Sequence, residues 1–410
     1  MRHLTSVSDT DEYMLILEKH WGFKACFTVG LIIYGCGTLI FWPAAVLTSF
    51  PAFVITNFIV ALGLSILEVS ANPFITFCGP QQYAEIRLCL CQGIQAIGSV
   101  VAPLIANKAF FEQNLEAPSL VHTQWAYLGI SLFTIFLAVA FHYIPLPEAT
   151  DEEFEDAEER LDGANKVKIG GVDIIWITLA IGVWSNFFYC GAQEVNATTF
   201  DSYLGEIAPE RNSANYMAIA HTAFALARFS AAGLAFFIKP RFLLLFFYVF
   251  AIVFDALAMN YQRDTGTAMI TMVFFMEGPL FPLIFSQALR GVGRHTKTAA
   301  VLLTSAVSGA AVFSPISSHV SGTSRGPMCA LVIGVATLAA GTLFPLALNA
   351  SPQARKQVDP IKDNAAIIDD RPSSASSRAG KALTFLSPGK KKRSAESSNV
   401  ECKERTGNDS

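Results

Sequence analysis

The sequence predicts an all-α polytopic membrane protein of about ten transmembrane helices, four followed by six. Three observations predict it. Apolar residues make up 52% of the 410 residues and charged ones only 15%, with a mean hydropathy of +0.42, a balance foreign to soluble domains of this length. About ten stretches are long enough to cross a hydrocarbon core, which takes roughly 20 apolar residues in a helix. Finally, two glutamates, Glu68 and Glu277, lie inside apolar helices at matching points of the two halves, each five residues before a proline (Pro73 and Pro282).

The expected spans cover residues 23–46, 50–77, 88–110, 124–146, 172–194, 213–238, 241–262, 266–289, 297–319 and 326–349. Ala25 to Leu67 is uncharged throughout and too long for one span; Ser49-Phe50-Pro51 divides it into a tight hairpin, because proline cannot continue a helix. Runs this long are helical, since in lipid only helices or closed barrels satisfy the backbone. The organisation that follows is an N-terminal segment (1–22), a four-span half (23–146), an acidic linker (147–171), a six-span half (172–349) and a polar tail (350–410).

Lys and Arg set the orientation. One set of loops holds Lys19, Arg87, Arg160, Lys166, Lys168, Lys239, Arg241, Arg290, Arg294 and Lys297; the other holds only Lys108, Arg211, Arg263 and Arg325. Both termini are therefore expected in the cytoplasm. The polar first twenty residues, with Asp9, Asp11, Glu12 and Glu18, do not resemble a cleavable signal peptide. Asp151-Glu-Glu-Phe-Glu-Asp156 reads as a solvated stretch of the linker, not a metal site. The tail, with Lys390-Lys-Lys-Arg393, reads as disordered, its basic cluster a solvated segment or a lipid contact.

Several function classes are excluded. The formal net charge of −4 offers no footprint for nucleic acid. The eight cysteines are scattered and lack zinc-finger spacing, so they read as buried small apolar residues. With no phosphate loop, nucleophile elbow or metal cluster, neither an enzyme nor a cofactor is expected. An ionisable group within a span costs about 2.5 kcal/mol or more, so it normally faces a polar cavity and has a function there. A matched pair in repeated halves points to a transport site near the midplane. A carboxyl in such a cavity can load and release a proton.

Leu67-Glu68-Val-Ser-Ala-Asn72-Pro73, then Cys78-Gly-Pro80, then Ala84-Glu85-Ile-Arg87-Leu with Gln92 following, resembles the fucose permease group of the major facilitator superfamily, especially its fungal members. Further matches follow in order: Tyr143-Ile-Pro-Leu-Pro-Glu148, Phe188-Tyr-Cys-Gly-Ala-Gln193, Phe237-Ile-Lys-Pro-Arg241, and Phe285 through Gly291-Val-Gly-Arg-His-Thr-Lys297. The resemblance covers roughly residues 20 to 350. It implies the fold of that superfamily, with helical halves rocking around a central cavity, and a monosaccharide–proton symporter for fucose-, galactose- or glucose-like sugars. A monomer in the plasma membrane is expected, with lipid, sugar and protons as its partners. One departure stands out. Aligned by motif, the first span matches the family's third, so the family's first two helices and the acid on its first helix have no counterpart. The competing reading is a non-transporting sugar sensor or an inactive truncated remnant.

The resemblance matches Glu68 to the family's membrane carboxylate and Gln92 to its sugar-binding glutamine. Asn72 belongs to the same motif. Gln92, Gln95 and Ser99 form a stripe at i, i+3 and i+7, whose amides can both donate to and accept from sugar hydroxyls, or act as packing glue. Gln95 and Cys89 replace residues that are commonly Asn in the family. Tyr189, Gln193 and Asn196 share a face that could contact a sugar ring, or could be a polar end of the span facing water or a neighbouring helix. Asn196-Ala-Thr198 fits a glycosylation sequon but lies in or beside a span, where it would go unused. Asn215, His221 and Arg228 lie along the sixth span. Arg228 is expected to pair with a carboxylate (Glu277 or Asp255) or a helix terminus, in a structural or gating role; His221 reads as a hydrogen-bonded core residue, with a proton relay as the alternative. Glu68, Glu277 and Arg228 are the candidates for proton coupling or gating.

Overall fold

In a chain this apolar, backbone hydrogen bonding drives each run into a helix, and the boundaries fall where proline, glycine or charge interrupts it. The computed structural model describes residues 5–47, 49–106, 120–144, 146, 168–169, 171–322 and 326–359. The linker acids, Lys108, Arg160, Lys166, Arg325 and the tail beyond 359 lie outside the described residues.

In the N-terminal half, α1 (Thr5–Val46) turns at Gly22, whose φ of 71° suits glycine. Its portion Gly22–Ala44 is apolar enough to span a membrane. The expected break holds: α1 ends at Val46 and α2 (Phe50–Phe77) begins with Pro51 in its first turn. The two helices pack so closely that a Cβ on Gly63 would lie 2.5 Å from the Tyr34 backbone nitrogen, so only glycine fits there. α3 spans Ala84–Ala106 and α4 spans Leu120–Tyr143. Ser131 on α4 donates to the Gly35 carbonyl (2.8 Å), fixing α4 against α1.

A two-residue antiparallel hairpin, β1 (Lys168–Ile169) and β2 (Val172–Asp173), leads into the C-terminal half, a small addition to the all-α expectation. There α5 (Ile174–Ile207), α6 (Ser213–Leu234) and α7 (Pro240–Ala258) are continuous. The next three spans are interrupted. α8 (Arg263–Glu277) and α9 (Leu280–Ala288) meet at Gly278-Pro279. α10 (Thr296–Ser305) and α11 (Gly309–Ser321) join through a 3₁₀ turn. α12 (Gly326–Gly341) and α13 (Leu343–Ala350) join at Thr342. A short α14 (Pro352–Val358) follows. Tyr189, Phe247, Tyr248, Phe285 and Phe344 fill the core of this half.

Among the described residues nine helices are long and apolar enough to cross a membrane. The further span expected at 88–110 falls on α3, whose Glu85, Arg87, Gln92, Gln95 and Ser99 dilute its apolarity. Seven cysteines are described and none is disulfide-bonded. Cys26, Cys89 and Cys190 are buried as expected, but Cys36 and Cys91 are exposed.

Candidate functional site

Between the two halves lies a cavity of about 450 Å³, walled by α2, α3, α5, α6 and α9. Its polar lining comes from Glu68 and Asn72 on α2, Gln92 and Gln95 on α3, Gln193 on α5 and Arg228 on α6, set among apolar Leu64, Ile75 and Phe281. A largely apolar cleft with a few convergent polar groups is the usual form of a small-molecule site. Helical spacing explains the convergence. Glu68 and Asn72 are four residues apart, as are the turns of one helix face, and Gln92 and Gln95 three apart. Ser99, the third member of the α3 stripe, is not among the lining residues and donates to the Ala96 carbonyl (2.7 Å).

Two of the four amides that line the cavity are already paired. Gln92 Nε2 donates to Asn72 Oδ1 at 3.2 Å, and both side chains are buried. Gln92 Oε1 is buried without a hydrogen-bond partner. An unpartnered buried acceptor is costly, and a ligand hydroxyl donating to it would relieve that cost. Glu68 is half-buried and Gln95 exposed to the opening.

Arg228 is 7% exposed and joins the halves. Its Nε donates to the Gly278 carbonyl (2.9 Å) and its Nη1 to the Gln92 carbonyl (2.7 Å), with the guanidinium 4.4 Å over the Phe224 ring. Of the two expected partners, a carboxylate or a helix terminus, the helix terminus is the one found. Gly278 follows the last residue of α8, so its carbonyl is one that a helix end leaves open for an arginine.

Tyr189, Asn196 and Glu277 do not line the cavity. Each is fully buried in the C-terminal half. Tyr189 Oη donates to the Glu277 carbonyl (2.9 Å), and Asn196 Nδ2 donates to Glu277 Oε1 (2.8 Å). At 100° per residue Gln193 and Asn196 are about 60° apart around α5, so one stripe divides between the cavity and the helix behind it. Asn215 is exposed; His221 is half-buried with its ring edge-on to Phe274 at 5.6 Å.

Sequence reasoning missed an ion pair that ties the halves together. Arg290 Nη2 meets Glu85 Oε1 at 2.5 Å, with both side chains buried. Arg290 Nη1 also donates to the Val358 carbonyl (2.6 Å), and Gln357 Nε2 donates to the Arg290 carbonyl (3.1 Å), so α14 backs the pair. Beside it, Arg87 caps α2 by donating to the carbonyls of Ile75 (3.2 Å), Thr76 (2.6 Å) and Pro80 (2.6 Å). In the sequence Arg290 counted only as a loop charge and Glu85 only as part of a motif; the signal was that both follow closely on the two glutamate-bearing spans.

No family model matches the chain. Among characterised proteins it is similar to the L-fucose-proton symporter of Escherichia coli K12, 24% identical over 329 residues that cover 75% of this chain and 74% of the relative. It is also similar to the glucose/galactose transporter of Brucella abortus, 25% identical over 306 residues, 72% of this chain and 71% of the relative. Among solved structures it resembles the major facilitator superfamily transporter FucP in its outward conformation, with a TM-score of 0.68 at 22% identity over 82% of this chain and 86% of that one. The proton:xylose symporter XylE matches with a TM-score of 0.58 at 14% identity, over 86% and 87% of the two chains. The chain has the major facilitator superfamily fold, and the relatives it resembles are fucose-permease-like sugar transporters, not enzymes.

Proposed function

We propose that this chain moves a monosaccharide of the fucose, galactose or glucose type across a membrane by proton symport, its two halves rocking about the central cavity. The observation that carries the reading is the polar wall of that cavity: Glu68, Asn72, Gln92, Gln95 and Gln193 together, with Gln92 Oε1 awaiting a donor. Sugar hydroxyls donate and accept, as amides do, so such a wall suits a polyol ring better than an ion or an apolar drug. Phe281 supplies an apolar surface for the C–H face of the ring. The naming of the relatives as fucose-proton symporter and glucose/galactose transporter supports the same substrate class.

Glu68 is the group that ties sugar to proton. Ionised, it only accepts hydrogen bonds; protonated, it also donates one, so its charge state changes what the sugar meets. Arg228, bonded to a carbonyl of each half, acts as the gate between them. The loop charges support cytoplasmic termini, with the Glu85–Arg290 pair closing the cytoplasmic end, and the plasma membrane is the setting this reading takes.

Uptake of labelled fucose, galactose and glucose into proteoliposomes, with and without an inward proton gradient, tests the reading. Gradient-stimulated uptake of one of them is expected. Sugar binding without any flux would instead favour a membrane sugar sensor.

A further inference from the structure

Behind the cavity, four elements of the C-terminal half bring together a set of hydrogen-bond acceptors that have no partner among the described residues. Asp255 on α7, Glu277 at the end of α8 and Asn196 on α5 are each 0% exposed. Asn196 Nδ2 donates to Glu277 Oε1. Asn196 Oδ1, Glu277 Oε2 and both carboxylate oxygens of Asp255 have no hydrogen-bond partner. Gly334 of α12 closes the group: a Cβ there would lie 2.8 Å from Asn196 Oδ1 and 2.8 Å from Asp255 Oδ2, so the amide oxygen and the acid converge on one spot. The two acids are near enough to act on each other electrostatically.

We propose that Asp255 and Glu277, joined through Asn196, form an occluded proton-binding site in the C-terminal half, separate from the cavity acid Glu68. The chemistry leaves few alternatives. Every unsatisfied atom is an acceptor, so only an added donor can satisfy the group. Two neighbouring carboxylates in a low-dielectric interior cannot both stay ionised without a compensating cation. Among the described residues, none of the charged and titratable side chains facing them makes an ion pair with either acid. Arg228 on α6 is engaged with the carbonyls of Gly278 and Gln92. From α5 come Tyr189, bonded to the Glu277 carbonyl, and Tyr203, bonded to the Ala258 carbonyl. Tyr248 on α7 pairs with Ser185, and His221 on α6 packs on Phe274, one turn before Glu277. A proton on either carboxyl gives an O–H that donates to the other acid or to Asn196 Oδ1, and it needs no space that the packing lacks.

The site also has a path to the cavity. Glu277 is the residue before Gly278, whose carbonyl Arg228 holds while it grips Gln92 on the other half. Gain or loss of the proton at Glu277 therefore bears on the arginine that bridges the halves. The inference rests on the symport reading for its role in transport, but not for the existence of the protonated pair.

Infrared spectroscopy of the purified full chain tests the pair directly. A protonated-carboxyl band that persists at neutral pH and exchanges slowly in D₂O is expected in the wild type, and Asp255→Asn and Glu277→Gln should each remove or shift it. Absence of such a band in the wild type, which needs no variant to fold, overturns the proposal; so does a band that both variants leave untouched. In proteoliposomes the same isosteric variants should lose the wild-type ratio of protons to sugar. A retained ratio, or a sodium requirement at fixed pH, counts against the site while leaving sugar symport through Glu68 intact. If the wild type itself moves no protons with sugar, the symport reading fails, and the infrared band alone decides the acid pair.

Discussion

Glu68 and Glu277 hold equivalent places in the sequence and different places in the molecule. Each sits in an apolar helix five residues before a proline. Glu68 faces the central cavity, half-buried, with α2 running on unbroken through Asn72 and Pro73 to Phe77. Glu277 ends α8, because Gly278-Pro279 interrupts the span, and it points into the C-terminal half against Asn196. Depth along a span is set by the apolar run, but a carboxylate's partners are set by where the helix ends and by what the neighbouring helices present. One acid is accessible to a substrate and the other is not.

The largest expected effect on transport itself follows from that accessibility. Glu68→Gln keeps the shape of the side chain and removes its titration, so gradient-driven sugar uptake should fall by at least about tenfold, equivalent to ~1.4 kcal/mol on the transport barrier. Uptake that kept its dependence on pH in this variant would remove Glu68 from proton coupling. Glu277→Gln should leave the affinity of sugar binding, measured by equilibrium binding, close to that of the wild type, since Glu277 does not line the cavity.

The next effect concerns the Glu85–Arg290 pair that joins the two halves. Arg290→Ala removes the ion-pair partner of the buried Glu85, a loss of about 3–5 kcal/mol for a buried pair. It should weaken the closure of the halves at that end. Cys91, which lines the cavity, reports the change: its rate of maleimide labelling should rise in Arg290→Ala and return when Arg290→Glu is combined with Glu85→Arg. An unaltered labelling rate would mean the pair does not hold the halves together. Of the cavity wall itself, Gln92→Ala should weaken sugar binding by about 1–3 kcal/mol, the range for losing a buried hydrogen-bonding group, read as roughly a fivefold to 150-fold rise in the sugar's dissociation constant. No change would place the sugar elsewhere.

How much of this could be read from the sequence depends on whether the determinant is local. The helix run and the Ser49-Phe50-Pro51 break follow from apolar length and proline, and the structure has them. Glu68, Asn72, Gln92, Gln95, Gln193 and Arg228, six residues named from motif and spacing, do come together at one cavity. The limits of α5 did not follow: the helix runs on to Ile207 because its polar later turns are buried by neighbouring helices, which hydropathy alone does not register. Nor did the division of the Tyr189, Gln193 and Asn196 face, since a periodicity argument fixes an angle on the helix and not the helix that fills it. The Glu85–Arg290 pair joins residues 205 apart, and no local pattern announces it.

The smallest effect separates the two regions most cleanly. Tyr189 was a candidate sugar contact by its face, yet it is fully buried and its hydroxyl donates to the Glu277 carbonyl. Tyr189→Phe removes that one bond and keeps the ring, which should lower stability by about 1 kcal/mol. Since the side chain does not reach the cavity, the sugar's dissociation constant should stay unchanged while the melting temperature falls slightly. The reverse outcome, an unchanged melting temperature with weakened sugar binding, would mean that α5 turns during transport and presents Tyr189 to the substrate. Asn196 shares that face, so the wall behind Glu277 would then open to the cavity in another state of the cycle, and the contrast between the two glutamates would belong to one conformation only.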